Sequence, residues 1–112
     1  MFDTHELDEA IEQRRVRLLA EQSKLQEIAR RSLLSLRDEH GLQAAYIVGS
    51  LAEPGLWQPE SDVDVAVRGR QLDVLEVMRV LEEATGRDVD VIDLNRHPAP
   101  AAVIRAAIRV YG

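Results

Sequence analysis

Apolar residues recur along the first third of the chain at spacings of three, four and seven: Leu7, Ile11, Leu18, Leu25, Ile28, Ala29 and Leu36, with Ser32 in the same series. No Gly or Pro interrupts residues 4–39, so this period predicts one amphipathic helix over that span. Asp3 followed by Glu6 has the form of a capping box. His40-Gly41 supplies a stop, because glycine reaches the left-handed conformation that closes helices. Unbroken, such a helix is ~54 Å long at ~1.5 Å per residue, longer than a domain of this size is wide. The apolar stripe is thin before residue 25 and broader after it. The second half is expected on the domain and the first half to project. The projecting half would pair with a partner helix or a second copy, or stand as a solvated extension; a kink near residues 20–24 is the alternative.

After Gly41 the pattern changes. Residues 43–48 (QAAYIV) read as a strand, and residues 49–61, holding Gly49, Pro54, Gly55 and Pro59, as a loop. Residues 62–68 (DVDVAVR) alternate polar and apolar, the period of a strand. Residues 72–85 read as a helix with Leu75, Met78, Leu81 and Ala84 on one stripe and Gly86 as its stop. Residues 88–94 (DVDVIDL) are a third strand, and Pro100 is expected to open a last helix running through Val110. The order predicts an α/β fold: a mixed sheet of three or four strands with helices mainly on one face, plus the long N-terminal helix. Residues 1–41 form a helical extension in this division and residues 42–112 the sheet domain.

Composition narrows the class. The chain has 112 residues, enough for one domain, and with 4% aromatics its core must be aliphatic. It has no cysteine, so disulfides and thiolate metal sites are excluded. The N-terminus is acidic without an apolar signal core, and no apolar run approaches the ~20 residues that span a bilayer. A soluble cytoplasmic protein is expected. The net charge of −6 repels nucleic acid. Arg14, Arg15, Arg17, Lys24, Arg30 and Arg31 do cluster, but glutamates interleave with them, which describes a solvated helix face rather than a nucleic-acid site.

Candidate chemistry lies on the second and third strands. Alternation places Asp62, Asp64 and Ala66 on one face and Val63, Val65 and Val67 on the other. Two carboxylates side by side repel unless a cation lies between them. Mg²⁺ favours such oxygen ligands. On the third strand Asp88, Asp90, Ile92 and Leu94 share a face, while Asp93 points the other way. If the two strands pair, Asp90 joins Asp62 and Asp64, and three carboxylates can hold two ions ~3.5–4 Å apart. Gly49-Ser50 ends the first strand with a backbone that can approach a phosphate and a hydroxyl to bind it. Ser50 as a simple helix cap is the plainer alternative. Trp57 is expected to cover a core edge rather than stack on a base.

The ordered set, GSLAEPGLWQPESDVDVAV followed by VDVIDL, resembles the minimal nucleotidyltransferases, the small branch of the DNA polymerase β-like superfamily. The resemblance covers about residues 42–112 and extends to the closing PAAVIRAAIRVYG, which is similar to the family's last helix. It implies that Gly49 and Ser50 contact the triphosphate of ATP or another NTP. It implies that Asp62 and Asp64 hold both Mg²⁺ ions, and that Asp90 holds the catalytic one and helps deprotonate the acceptor hydroxyl. It further implies a small helical HEPN-type toxin as partner, with AMP moved onto its tyrosine and this chain as antitoxin. Two departures stand out. Eleven residues separate Ser50 from Asp62, one more than usual in the family. Leu51-Ala52-Glu53-Pro54-Gly55 replaces the family's basic segment after the Ser, leaving Arg87 as a substitute base for the phosphates. A module of this fold that inhibits a partner by contact alone is the alternative.

Overall fold

The computed structural model describes residues 4–112. Helix α1 (Thr4–His40) is one unbroken helix of 37 residues, with no kink at residues 20–24. Asp3 of the expected capping box lies outside the described residues. Gly41 closes the helix at φ +68°, its N–H donating to the Arg37 carbonyl at 3.1 Å. Only from Gln22 onward does α1 bury a stripe, made of Gln22, Leu25, Ala29, Leu33 and Leu36. Leu7, Ile11, Val16 and Leu19 are exposed. The first half projects, and the molecule measures 63 × 28 × 19 Å.

Four strands follow: β1 (Ala44–Val48), β2 (Val63–Arg68), β3 (Val89–Asp93) and β4 (Ile108–Tyr111). They form one mixed sheet in the order β3-β2-β1-β4. β1 is antiparallel to β2 and β4, with a register shift against β4 between Ala45 and Tyr46. β2 and β3 are parallel, so the chain must cross over between them, and α2 (Val74–Thr85) does so. Asp73 caps α2, its carboxylate accepting from the Glu76 N–H at 3.1 Å. Gly86 ends it in the left-handed conformation.

The sheet packs on both faces. On one, Ala45, Ile47, Val63, Val65 and Val67 meet the buried stripe of α1 and Val77 and Leu81 of α2. On the other, Ala44, Tyr46, Val48, Ala66 and Leu94 are covered by Val103, Ile104 and Ala107. The two long helices lie on the first face, as expected. The second face, expected to be open, is covered over its middle by Val103, Ile104 and Ala107.

Two elements differ from expectation. The last helix does not run from Pro100 to Val110: α3 is one turn, Pro100–Val103, and the chain then extends into β4. All five residues of β1 are buried. Its second edge would leave N–H and C=O groups without partners, and β4 supplies them. Ile108, Val110 and Tyr111 are good strand formers, so local preference does not resist. On α2 the stripe is rotated: Val77 and Leu81 are buried while Leu75 is 74% exposed. VLEVMRVLEEAT carries two overlapping helical stripes, and docking against α1 and β3 selects the one through Val77.

Candidate functional site

Strand alternation sets the site. Val63, Val65 and Val67 point into the core, so Asp64 and Ala66 point to the other face. Asp62 precedes β2 by one residue and is exposed. The parallel pairing of β2 with β3 places Asp64 directly beside Asp90. The two carboxyl groups lie close enough to interact, and Asp64 is half-buried. Burial pushes the Asp64 carboxyl up to about 6, helped by its neighbours Asp90 and Asp62. Asp64 is thus near enough to feel both Asp62 and Asp90. Among the described residues no three acidic or imidazole groups form a ready-made metal cage. Asp64 and Asp90 are the close pair, and Asp62 stands at its margin.

Asp88 and Asp93 separate cleanly from this pair. Asp88 is exposed at the entrance of β3, and its carbonyl accepts from the Val63 N–H at 2.9 Å. Asp93 faces the other way and closes the following turn, accepting from the Asn95 N–H at 3.0 Å.

Gly49 completes the site from β1. Val48 pairs with Asp64, so the next residue comes against the Asp64 side chain. Gly49 has φ +67°, and a Cβ there would run into the Asp64 carboxylate. Both facts demand glycine. Residues Gly49–Leu51 form a single tight turn whose N-cap is Val48, with no side-chain cap. The Ser50 side chain is therefore not a cap for that turn, and it makes no hydrogen bond among the described residues.

The residues that hold this turn come from α1, and sequence reasoning missed them. The Gln22 amide donates to the carbonyls of Ser50 at 3.1 Å, Leu51 at 3.2 Å and Glu53 at 2.9 Å. Gln26 donates to the Leu51 carbonyl at 2.7 Å. Gln22 is 4% exposed. The available signal was its place on the apolar stripe between Leu18 and Leu25: a polar residue there must have buried partners.

The rest of the loop is held in the same way. Trp57 is buried, as expected for a core cover, and its Nε1–H donates to Glu21 at 3.0 Å. Arg87 corrects the sequence reading. Its guanidinium donates to Glu21 at 3.0 Å and to the carbonyls of Pro59 and Ser61 at 2.6 Å each. It also stacks on Trp57 at 4.8 Å. With its donors committed to the 57–61 segment, Arg87 is a brace rather than a phosphate ligand. A cleft of ≈720 Å³ near Arg70, Asp73 and Arg96 lies at the far ends of β2 and β3, away from the carboxylates.

Comparison with known proteins places these features in a group. The family model described as polymerase beta, nucleotidyltransferase, matches residues 31–111. A crystal structure of a toxin–antitoxin with AMP-PNP aligns with a TM-score of 0.63 and 26% identity, covering 74% of this chain and 73% of that one. A tri-AMPylated HEPN toxin from Shewanella oneidensis in complex with its MNT antitoxin aligns with a TM-score of 0.57 and 26% identity over 78% of this chain and 72% of that one. A MntA–HepT toxin–antitoxin structure is 23% identical with a TM-score of 0.57, over 77% of this chain and 72% of that one, and supports the fold alone. No curated protein matches significantly.

Proposed function

The chain belongs to the polymerase β nucleotidyltransferase family, and on that premise we propose that it moves AMP from ATP onto a tyrosine of a small helical HEPN-type toxin, acting as the antitoxin. One observation carries the chemistry: Asp64 and Asp90 stand side by side in register, with Asp62 near and the Gly49 backbone against Asp64. The partner class rests on the toxin–antitoxin structures that align with this chain, one with AMP-PNP and one with an AMPylated toxin. Residues 42–112 carry the reaction, and residues 1–41 are the N-terminal extension, whose helix α1 braces the Gly49–Ser61 loop with its second half.

The carboxylates fit a divalent cation. They are oxygen donors, and burial together with the charges of Asp90 and Asp62 raises Asp64 to about 6, a cost that a cation between them would offset. Asp62, Asp64 and Asp90 would hold Mg²⁺, two ions in this scheme, which when bound neutralise phosphate charge and ease loss of the acceptor proton. Gly49 lets the backbone approach the triphosphate, and the Ser50 hydroxyl donates to a phosphate oxygen. Gln22 and Gln26 hold that turn in place, so its polar groups are oriented before substrate arrives. Asp90 takes the proton of the acceptor hydroxyl as its oxygen bonds to the α-phosphorus and pyrophosphate leaves. No helix among the described residues is long and apolar enough to cross a membrane, and we place the reaction in the cytoplasm.

A second reading, inhibition of the partner by contact alone, draws on the base-free segment Leu51–Gly55 and the committed guanidinium of Arg87. One incubation separates the two: the purified chain, ATP labelled at the α-phosphate, MgCl₂ and the co-purifying HEPN-type partner. Label on the partner, lost in Asp62→Asn/Asp64→Asn, is the expected result. No transfer by the wild type, with full inhibition by the double variant, would establish contact inhibition instead.

A further inference from the structure

The stripe that α1 buries in the core continues past the end of the domain. Ile11 and Leu18 lie two heptads and one heptad before Leu25, and Leu7 lies one turn before Ile11. They occupy the face that Leu25, Ala29 and Leu36 use for packing. Yet Leu7 is 44% and Ile11 58% exposed. Beside this seam a groove of ≈670 Å³ opens between α1 and the loop, lined in part by Ile11, Leu18, Leu19, Pro54 and Trp57. This surface is separate from the carboxylate site.

Charge selects the occupant. Residues 4–13 contain Glu6, Asp8, Glu9 and Glu12 and no Lys or Arg; residues 14–20 contain Arg14, Arg15 and Arg17 and no acid. A second copy laid antiparallel sets acid against base twice, by symmetry. A parallel copy sets like against like. We propose that two copies of this chain associate through residues 4–21 of α1 as an antiparallel helix pair. Leu18 packs on Leu7 of the second copy, and the end of that helix enters the groove over Trp57. Ile11 meets the aliphatic stem of Arg14, whose charged head reaches solvent. Asp8 and Arg15 share one flank of the seam a heptad apart and pair across it. Within one chain Arg15 already pairs with Glu12 at 2.9 Å, an exposed contact that exchanges at little cost.

Cysteine chemistry gives a clean test, because the chain has none. In the full-length Leu7→Cys/Leu18→Cys variant the two thiols of one helix lie ~16 Å apart, too far to bridge within a chain. Mild oxidation should link two copies in that variant and not in Leu7→Cys alone. Sedimentation from about 1 to 100 µM should show a reversible dimer. Asp8→Arg or Arg15→Asp alone should weaken it roughly tenfold, and the combined exchange should restore it. A monomer throughout that range overturns the proposal, as does ready crosslinking of Leu7→Cys alone, which means a parallel pair. A dimer indifferent to the charge exchange and without the Leu7–Leu18 link lies elsewhere on the surface and also overturns it. A chain that stays monomeric until the toxin covers the seam counts against it in the same way.

Discussion

The two faces of β2 are built from the same six residues and do opposite things. Val63, Val65 and Val67 are each 0% exposed and lie against both long helices. One residue out of phase, Asp64 faces another carboxyl across the ladder, with Asp62 just outside the strand. Like charges opposite each other destabilise a sheet, whereas buried valines stabilise it. Stability is thus gathered on one side of the strand and given up on the other, where the carboxylates stand. Substitutions on the two faces should therefore change stability with opposite signs.

The largest effect belongs to the valine face. Val65→Ala removes buried methyl groups beneath both helices and should cost about 2–3 kcal/mol, read as a lower urea midpoint. Gly49→Ala comes next. It forces a side chain into a left-handed position and against the Asp64 carboxylate. The expected cost is about 2 kcal/mol. Asp64→Ala in the same chain should return part of it, because the collision disappears while the backbone strain stays. Full additivity in that double-mutant cycle would show that Gly49 and Asp64 do not press on each other.

Alternation alone carried most of this contrast. DVDVAVR assigned each residue of β2 to the face it occupies, and VDVID put Asp90 on the carboxylate side and Asp93 on the other. Gly41 and Gly86 marked the ends of both long helices because a left-handed closing residue is a local requirement. What was illegible is what distant partners decide. Nothing within residues 104–111 says that β1 has a second edge needing hydrogen bonds, so an Ala-rich stretch after Pro100 reads as helix. Leu75 and Val77 are equally apolar, and only the direction of docking tells them apart. Arg87 reads as a free cation until Pro59, Ser61 and Glu21 are found around it. The family resemblance located the Gly-Ser turn, but the glutamines that support it lie outside the motif.

A third test turns on pH and probes the carboxylate face. The Asp64 carboxyl is raised from its ordinary 3.8 to about 6, by burial first and then by its acidic neighbours. Between these values the folded chain holds a proton that the unfolded chain has lost. Unfolding free energy therefore falls as pH rises from about 4 to about 6, and the loss persists above that. The metal-free Asp64→Asn chain should lack this slope and melt a few degrees above the wild type at neutral pH. A lower melting temperature for Asp64→Asn at pH ~7 would mean that the carboxylate is stabilising and that the contrast between the faces is wrong.

Tyr111 supplies the smallest effect and the control that sharpens this one. Its pKa is also raised, to about 12, first by burial and also by the charge of Asp38, with Arg37 opposing. Its hydroxyl donates to the Leu33 carbonyl at 2.7 Å, tying β4 to α1. The sign is the same as for Asp64: the protonated form is favoured in the folded chain, so this contribution is intact below about 10 and lost as pH rises through about 12. Tyr111→Phe should remove that alkaline slope and cost no more than about 1 kcal/mol at neutral pH. The two groups differ in remedy. A cation between the carboxylates favours the ionised form and so offsets the Asp64 shift, whereas nothing a cation does there reaches the hydrogen bond at Leu33. Adding MgCl₂ should therefore abolish the acidic slope and leave the alkaline one untouched. If both slopes respond alike, Mg²⁺ acts on the whole charged surface, and the carboxylate face loses its claim to a specific ion.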